Sequence, residues 1–319
     1  MDPEEESAAG EGGPAGPFRA GFVAIVGKPN TGKSTLLNAY LGQKIAIISP
    51  KPQTTRTVIR GGLTLPHAQV VFVDTPGIHK PVHRLGEYMV KAATRAMADA
   101  DVVVWVVDLT WPPDAEDRLM AGLLAEKCRA PLILALNKAD AVADAEEAGR
   151  PYRQLLTGSG GRPLYDAAVT LSALQGQGRD DLLQAMIARL PESPPYYPDD
   201  FLTDQPLRAI AAEWIREQVL HHTRQEVPHA VAVVVEEFKE RSADLTYIAA
   251  NIYVEKESHK EILLGRGGQM LKKVGQAARE QLEPFLGTRV YLELWVKVRK
   301  NWRKSQQALR WLGYDIGKM

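Results

Sequence analysis

One short segment combines the residue types that hold the phosphates of a nucleotide. It reads Gly-Lys-Pro-Asn-Thr-Gly-Lys-Ser, follows the apolar run at residues 22–26 and opens a helical pattern. The glycines allow backbone N–H groups to surround phosphate oxygens at the positive end of a helix. Lys33 would bring a charge to the outer phosphates, and the Ser34 hydroxyl would bind Mg²⁺. The predicted phosphate contacts are Gly27, Lys28, Pro29, Asn30, Thr31, Gly32, Lys33, Ser34 and Thr35.

A second polar segment, Asp-Thr-Pro-Gly, follows the apolar run at residues 70–73. Asp74 is predicted to hold a water of the Mg²⁺ shell, and the Gly77 N–H to reach the γ-phosphate. Residues 49–56 are polar and rich in turn-forming types, as expected of a segment that senses this phosphate. Thr55 in this segment is predicted to bind Mg²⁺, with Thr54 as the alternative. The predicted nucleotide contacts of the second segment are Asp74, Thr75, Pro76, Gly77 and Ile78.

A third segment, Asn-Lys-Ala-Asp at residues 137–140, predicts which base is bound. A carboxylate at Asp140 accepts both donors on the Watson–Crick edge of guanine. Adenine would present the lone pair of N1 to the same carboxylate. An unpaired buried charge of this kind costs roughly several kcal/mol. Ser172 and Ala173, after the next apolar run, are predicted to direct a backbone N–H at guanine O6. Asn137, Lys138, Asp140, Ser172 and Ala173 therefore complete a predicted site for GTP or GDP.

The residue after Gly77 bears on the hydrolysis chemistry. Small GTPases place a glutamine there to orient the attacking water, whereas this chain has Ile78, which cannot do so. Lys33 and Thr55 are still predicted to be catalytic. Hydrolysis must therefore be slow in the isolated protein, or another group must do this work.

The elements that position these segments alternate along residues 20–190. Apolar runs without a polar face alternate with helical spacing, which predicts an α/β doubly wound sheet. The predicted strands cover residues 22–26, 70–73, 102–107, 132–136 and 168–171, and the predicted helices 33–41, 85–98, 115–128 and 180–190. Residues 1–19 have almost nothing to bury and are predicted to be a disordered acidic tail. Prolines at 191, 194, 195 and 198 predict a stiff, extended linker over residues 191–204.

Residues 205–319 follow the order helix-strand-strand-helix-helix-strand, which predicts a smaller α+β domain. The link between its second and third helices reads Gly-Arg-Gly-Gly, at residues 265–268. Without side chains at Gly265 and Gly268, a sugar-phosphate backbone can approach closely, and the dipole of the following helix attracts it. A basic cluster follows at residues 297–304. The predicted RNA contacts are Gly265, Arg266, Gly267, Gly268, Lys272, Lys273, Arg299, Lys300, Arg303 and Lys304.

Simpler interpretations exist for this second domain. A glycine pair between helices is often only a helix C-cap, and lysines on a helix are often only solvated. Trp295 is predicted to be a core residue rather than a platform on which bases stack. The element order and the basic cluster together favour RNA binding.

Composition excludes several classes of protein. A chain of 319 residues with 45% apolar content predicts about two folded domains. Its net charge is zero, but residues 201–319 carry 19 Lys and Arg against 15 Asp and Glu, which leaves −4 on the rest. The single cysteine, Cys128, excludes an intrachain disulfide and favours a cytoplasmic protein. The sequence shows neither a secretory signal nor an apolar run near the roughly 20 residues of a membrane-spanning helix.

Together, these segments resemble those of the bacterial Era GTPases, a group of P-loop GTPases. The resemblance covers about residues 20–316. It is carried by the phosphate segment, by Gln53-Thr54-Thr55-Arg56, by Asp74-Thr75-Pro76-Gly77-Ile78-His79 and by Asn137-Lys138-Ala139-Asp140. Era proteins end in a KH domain, and residues 263–271 and 292–304 are similar to its Gly-x-x-Gly core and closing segment. The resemblance therefore implies a type II KH domain over residues 205–319.

The resemblance also implies a function in assembly and maturation of the small ribosomal subunit. Era proteins bind the 3′ end of 16S ribosomal RNA through the KH domain, coupled to GTP, which implies this RNA and the pre-30S particle as partners. Peripheral association with the inner membrane is implied as well, and no stable oligomer is expected. In similar GTPases the asparagine of the phosphate loop helps to hold K⁺ beside the phosphates. Asn30 has that position, and backbone carbonyls near residues 53–55 would complete the shell.

Two other functions remain open from the residues alone. The second domain of a GTP-dependent switch could bind a protein, and salt dependence of RNA binding would distinguish this case. A P-loop kinase or ATPase is the other alternative. Asn137 and Asp140 argue against it, and competition between nucleotides would decide.

Overall fold

The computed structural model describes residues 16–158 and 160–314. The predicted disordered tail falls mainly on residues 1–15, which lie outside this part of the chain. Arg19 begins the first strand and pairs with Ala68, so this strand starts one residue inside the predicted tail. The described residues form two sheets, one of six strands and one of three.

The six-stranded sheet of the first domain has the order β2-β3-β1-β4-β5-β6. Its strands are β1 (Arg19–Val26), β2 (Ile59–Leu65), β3 (Ala68–Asp74), β4 (Val102–Asp108), β5 (Leu132–Asn137) and β6 (Ala167–Thr170). All neighbours are parallel except β2, which runs antiparallel to β3. β3, β4 and β5 are buried throughout, as their apolar runs predict. β6 lies at the edge and is mostly half-buried, so it is not the central strand that its sequence suggests.

Helices cover both faces of this sheet. They are α1 (Lys33–Leu41), α2 (Arg84–Ala98), α3 (Ala115–Lys127), α4 (Ala145–Leu155) and α5 (Arg179–Ile187). Leu36 of α1 and Leu182 of α5 are buried against one face. Met97 of α2 and Met120 of α3 are buried against the other. The prediction of a doubly wound α/β domain is confirmed.

β2 and α4 were not predicted from the sequence. β2 contains Gly61 and Gly62, which usually weaken a strand. Both allow close packing: a Cβ at Gly61 would lie 2.5 Å from the Leu41 side chain, and one at Gly62 would lie 2.6 Å from Phe201. α4 carries few apolar residues and an internal proline, Pro151, although Ala145, Ala148, Tyr152 and Leu155 keep helical spacing toward the core.

The proline-rich connector is attached to the first domain along much of its length. The buried side chain of Gln69 accepts hydrogen bonds from the backbone N–H groups of Tyr196 and Tyr197, at 2.8 and 3.0 Å. Further along, the Gly62 N–H donates to the Leu202 carbonyl at 3.0 Å. The connector is therefore fixed to the sheet edge rather than only stiffened by its prolines.

The second domain has the predicted helix-strand-strand-helix-helix-strand order. Its elements are α6 (Leu207–His222), β7 (Ala232–Ser242), β8 (Leu245–Val254), α7 (Glu257–Leu264), α8 (Gln269–Leu286) and β9 (Arg289–Val298), followed by α9 (Gln306–Trp311). β7 and β8 are antiparallel, and β8 and β9 are parallel. Ile215 of α6 and Val274 of α8 are buried against one face of this sheet, beside Ile248 and Ile252 of β8. The predicted α+β domain is confirmed.

Candidate functional site

The phosphate loop lies between β1 and α1 and requires its glycines. Gly32 has a φ of 101° and Gly27 a φ of 148°, conformations that L side chains rarely adopt. A Cβ at Gly32 would lie 2.2 Å from Asn137 Nδ2, and one at Gly27 would lie 2.4 Å from the Val106 carbonyl oxygen. The loop is therefore held against the ends of β4 and β5. The N-terminus of α1, which follows the loop, faces the cavity.

Lys33 is buried within this loop. Its Nζ donates to the carbonyl oxygens of Gly27, at 3.1 Å, and Lys28, at 2.7 Å. Burial lowers the pKa of Lys33 to about 8, although the nearby Asp74 carboxylate opposes this change. Added negative charge beside Lys33 would favour its charged form, as expected of a group that faces phosphates.

Three oxygen-bearing side chains from different segments meet beside the loop. Ser34 Oγ donates to Asp74 Oδ2 at 2.7 Å and lies 2.9 Å from Thr55 Oγ1. Burial raises the pKa of Asp74 to about 6, and its Oδ1 has no hydrogen-bond partner among the described residues. Two hydroxyls and a carboxylate are hard oxygen donors of the kind that Mg²⁺ prefers, so the residues present fit this ion.

The position of Thr54 favours Thr55 as the threonine of this group. The Thr54 hydroxyl donates to the Lys51 carbonyl at 2.6 Å, within its own segment. The Thr55 hydroxyl instead faces Ser34.

The Asp-Thr-Pro-Gly segment lies against the phosphate loop. The Ile78 N–H donates to the Gly27 carbonyl at 3.2 Å, and a Cβ at Gly77 would lie 2.6 Å from the Pro29 nitrogen. The Ile78 side chain is fully buried in the core, so it does not reach the cavity. The Thr75 hydroxyl donates to the Ile25 carbonyl at 2.8 Å and holds the segment to β1. Pro76 is buried beside it.

His79 and Gln53 connect this segment to the one that carries Thr55. His79 Nε2 lies 2.9 Å from Gln53 Nε2, and its Nδ1 lies 3.0 Å from the Gly77 carbonyl oxygen. Neither residue is among the predicted contacts, although both lie within the segments that resemble the family.

Asn137 connects the phosphate loop to the turn after β6. Its Nδ2 donates to the Thr31 carbonyl at 2.7 Å, and its Oδ1 accepts from the Ala173 N–H at 2.9 Å. The Ser172 N–H donates to the Gln177 carbonyl at 2.9 Å. In this structure the N–H groups of Ser172 and Ala173, the predicted contacts of guanine O6, therefore have protein acceptors.

The cavity beside the phosphate loop is also lined by Lys138 and Trp111. The cavity has a volume of about 490 Å³, and its lining includes residues that were not predicted as contacts, among them Ile48, Pro50, Asp108 and Trp111. Lys138 Nζ pairs with Asp108 Oδ2 at 2.5 Å. The Trp111 carbonyl accepts from the buried Tyr152 hydroxyl at 3.1 Å, yet its indole is 68% exposed. Asp140 is exposed in the adjacent 3₁₀ turn, Ala139–Ala141.

Two polar side chains of the phosphate loop are held by residues outside the loop. Lys28 Nζ pairs with Asp117 at 2.7 Å and Asp114 at 2.9 Å, which fixes the loop to the start of α3. Burial lowers the pKa of Lys28, but these hydrogen bonds outweigh burial and raise it. Asn30 Nδ2 donates to the Pro50 carbonyl at 2.8 Å, so its amide oxygen is the atom left for a cation.

The Gly-x-x-Gly link joins α7 to α8 in a left-handed conformation. Gly265, Gly267 and Gly268 have φ values of 69°, 56° and 77°. A Cβ at Gly268 would meet no atom of residues 16–158 and 160–314 within 4 Å, so among these residues the side that it would occupy is open. Beside the link, a groove of about 400 Å³ runs between α8 and β9, with Lys272 on its wall. Arg266 and Lys273 are exposed next to it.

The basic cluster is only partly available to RNA. Lys297, Lys300 and Lys304 are exposed. Arg299 lies with its guanidinium 4.2 Å from the centre of the Trp311 ring. Arg303 pairs with Glu255 and lies 3.4 Å from His83 of the first domain, so it joins the domains and is not the free cation that the sequence suggests.

The prediction that Trp295 belongs to the core is wrong. Its side chain is 61% exposed on β9. α9 packs against Ala232 and Tyr253 on one face of the three-stranded sheet. α6 and α8 cover the other face, and Leu294 and Val296, the neighbours of Trp295 on β9, point to that face. Trp295 therefore points to the opposite face.

Comparisons with known proteins agree with this geometry. A family model described as a 50S ribosome-binding GTPase matches residues 22–138, and a KH domain model matches residues 226–303. GTPase Era of Alkaliphilus oremlandii is 48% identical over 300 residues, which cover 93% of this chain and 99% of that protein. GTPase Era of Carboxydothermus hydrogenoformans is 47% identical over 298 residues, which cover 93% and 98%.

Solved structures extend the similarity to three dimensions. A crystal structure of Era with MgGDPNP and nucleotides 1506–1542 of 16S ribosomal RNA has a TM-score of 0.88, 40% identity, and coverage of 94% of this chain and 100% of that one. A variant of Aquifex aeolicus Era bound to GDP·AlF₄⁻ has the same TM-score and coverage at 39% identity. Identity at this level over nearly the whole chain, with the nucleotide loops and the KH link in place, leads to one conclusion: the chain belongs to the Era family of GTPases.

Proposed function

We propose that this chain hydrolyses GTP to GDP and phosphate in a Mg²⁺-dependent reaction and binds the 3′ end of 16S ribosomal RNA through its KH domain. The observation that carries the proposal is the contact of the Ser34 side chain with those of Thr55 and Asp74. The chain in which it occurs is 40% identical to the Era protein solved with MgGDPNP and 16S RNA. We further propose that the reaction times a step in assembly of the small ribosomal subunit, on the pre-30S particle.

The chain's own residues account for nucleotide binding. N–H groups of the phosphate loop and the Lys33 ammonium surround the phosphates, and Asp140 selects guanine. Ser34 and Thr55 would hold Mg²⁺ directly, and Asp74 through a water. Mg²⁺ would neutralise charge on the outer phosphate oxygens. Because Thr55 lies on a segment that approaches the γ-phosphate position, it would distinguish GTP from GDP.

Because Ile78 cannot orient water, another group must support hydrolysis. We propose that the amide oxygen of Asn30 helps to hold K⁺ beside the phosphates, where fixed positive charge accelerates transfer. The Asn30 amide nitrogen already donates to Pro50, which orients the side chain. The Thr54 carbonyl accepts from Arg216, so the carbonyls of residues 53 and 55 are the better candidates to complete the ion's shell.

Replacing K⁺ by Na⁺ at constant ionic strength should slow GTP hydrolysis by about tenfold or more. Asn30→Gly should remove the difference between the two salts, because glycine keeps the left-handed φ of 64° at this position and lacks the amide. Turnover is measured by phosphate release in each salt. Equal rates of the unsubstituted protein in both salts would contradict the role of K⁺ and would favour RNA or a partner protein as the source of the missing group.

The open groove beside the Gly-x-x-Gly link supports RNA as the ligand of the second domain. Arg266, Lys272 and Lys273 are exposed around the link, where an RNA sugar-phosphate backbone could approach the protein backbone closely. Nucleic acid binding of this kind depends on phosphate contacts and weakens steeply with salt.

Fluorescence anisotropy with a labelled RNA of the 16S 3′ end tests this proposal. We expect binding that is at least about tenfold tighter than that of a scrambled RNA of equal length, with a steep slope of log K against log salt. The titration is repeated with GDPNP and with GDP. Equal affinity for both RNAs would remove the sequence preference, and no binding to either would favour the alternative of a protein partner.

We propose that the protein is cytoplasmic and associates peripherally with the inner membrane. We also propose that it forms no stable oligomer. Across residues 16–158 and 160–314, no helix has the length and apolarity needed to cross a bilayer. Flotation of the full chain with liposomes tests the peripheral contact.

A further inference from the structure

The segment that carries Thr55 packs against the first helix of the KH domain. We call residues 44–56 the switch segment. The Ile48 N–H donates to Glu217 Oε1 of α6 at 2.8 Å, and the Ile48 carbonyl lies 3.1 Å from His221 Nε2. Lys44 at its start pairs with the same Glu217. The backbone of the switch segment is therefore held by side chains from the other domain.

Arg216 of α6 contacts this segment next to Thr55. Its guanidinium is fully buried and donates from Nη2 to the carbonyl oxygen of Thr54. Glu213, one turn earlier on α6, pairs with the same guanidinium through Nε, at 2.9 Å, and Nη2. Nη1 has no hydrogen-bond partner in the described part of the chain. Because a buried guanidinium is costly to desolvate, its remaining contacts are strongly favoured.

Arg56 makes the reciprocal contact on the other side of Thr55. Its buried guanidinium donates to the carbonyl oxygens of Val231, at 2.5 Å, and His229, at 3.2 Å, both just before β7. Thr55 is thus bracketed by two arginine–carbonyl contacts across the domain boundary. One arginine comes from each domain.

We infer that Arg216 is a positioning residue for GTP hydrolysis, which holds the Thr54–Thr55 peptide so that the Thr55 hydroxyl faces Ser34. The inference rests on the proposed function, because it assigns Thr55 to the triphosphate state. The KH domain thereby supplies part of the nucleotide site.

The contact has a specific energetic consequence. GDP lacks the γ-phosphate that Thr55 approaches, so order in the switch segment contributes mainly to binding of the triphosphate. If the switch segment is disordered in the free protein and becomes ordered only when the triphosphate binds, the cost of ordering it lowers the affinity for the triphosphate alone. Arg216 should therefore change the ratio of the two affinities.

Arg216→Met tests this inference in the full chain. We expect the affinity for GDPNP to fall by about tenfold or more and kcat for GTP to fall, while the affinity for GDP changes by less than about twofold. Backbone hydrogen exchange at residues 54–56 should be faster in the GDPNP-bound variant than in the GDPNP-bound parent. Arg216→Lys keeps the charge but replaces the planar guanidinium by a single ammonium, so its losses should be of the same kind and smaller.

Arg208→Ala is the matched control. Arg208 lies on the same helix and also donates to carbonyl oxygens, those of Val235 and Glu236, but both belong to the KH domain. It should leave both nucleotide affinities unchanged. Thermal melting of each variant identifies loss of the fold, and if Arg216→Met does not fold, Arg216→Lys decides.

Two results would overturn the inference. Unchanged affinity for GDPNP with unchanged exchange would limit Arg216 to packing between the domains. An equal loss for GDP and GDPNP would show a general effect on the site. Absence of GTP turnover in the parent protein would instead overturn the proposed function, and the ratio of affinities would still be measurable.

Discussion

Asp140→Asn should transfer the base preference of the protein from guanine to xanthine. The amide can accept only one of the two guanine donors and presents its own N–H₂ to the other, so GDP affinity should fall by about a hundredfold or more. Xanthine carries a carbonyl at C2, which accepts from the amide, so XDP should bind the variant better than it binds the parent. Displacement of a fluorescent nucleotide by GDP and by XDP measures both changes.

Asp144→Asn is the matched control for this exchange. The substitution removes an equal charge close by, but the Asp144 carboxylate caps α4 through the N–H groups of Glu146 and Glu147. Asparagine caps a helix nearly as well, so stability and nucleotide preference should stay the same. XDP binding to Asp140→Asn no better than to the parent would remove Asp140 from the base site.

Gly268→Asp should weaken RNA binding by more than about tenfold and leave GTP hydrolysis without RNA nearly unchanged. The new carboxylate would stand on the open side of the Gly-x-x-Gly link, where phosphates must approach, and would repel them. Anisotropy with the 16S 3′-end RNA at moderate salt measures the loss, and phosphate release measures hydrolysis.

Gly268→Asn separates charge from backbone strain. Asparagine and aspartate both tolerate the left-handed φ of 77° better than other side chains, and they are nearly the same size. The asparagine variant should therefore keep most of the RNA affinity that the aspartate variant loses. Equal RNA affinity for Gly268→Asp and the parent would exclude this link from the interface.

The nucleotide loops were predictable because of how parallel strands end. β1, β3 and β5 run parallel to one another within the sheet, so their carboxyl ends meet at one sheet edge. Asp74 and Asn137, which end β3 and β5, and Ser34, which follows the loop after β1, must therefore lie together. Fully apolar strands made these ends easy to locate in the sequence.

Contacts between distant segments were not predictable in this way. A basic residue in a cluster has the same appearance whether it faces solvent or a partner, so Arg303 could not be distinguished from Lys304 without the position of Glu255. The contacts of Arg216 and Arg56 across the domain boundary likewise could not be predicted, because their carbonyl partners are distant in the sequence. The exposure of Trp295 is different: the alternation of Leu292, Leu294 and Val296 on β9 already favours it.

The fixed connector limits how far the two domains can separate. Thr203 still bridges to Gly61 of β2, and α6 begins at Leu207, so only residues 204–206 lie between these two anchors. The four Cα–Cα steps from Thr203 to Leu207 span at most about 14 Å. If the contacts of α6 with the first domain break, the start of α6 stays within this distance of Thr203, and the KH domain keeps an effective concentration of millimolar order or higher. Rebinding is then intramolecular, so small differences in contact free energy are enough to change which arrangement is populated.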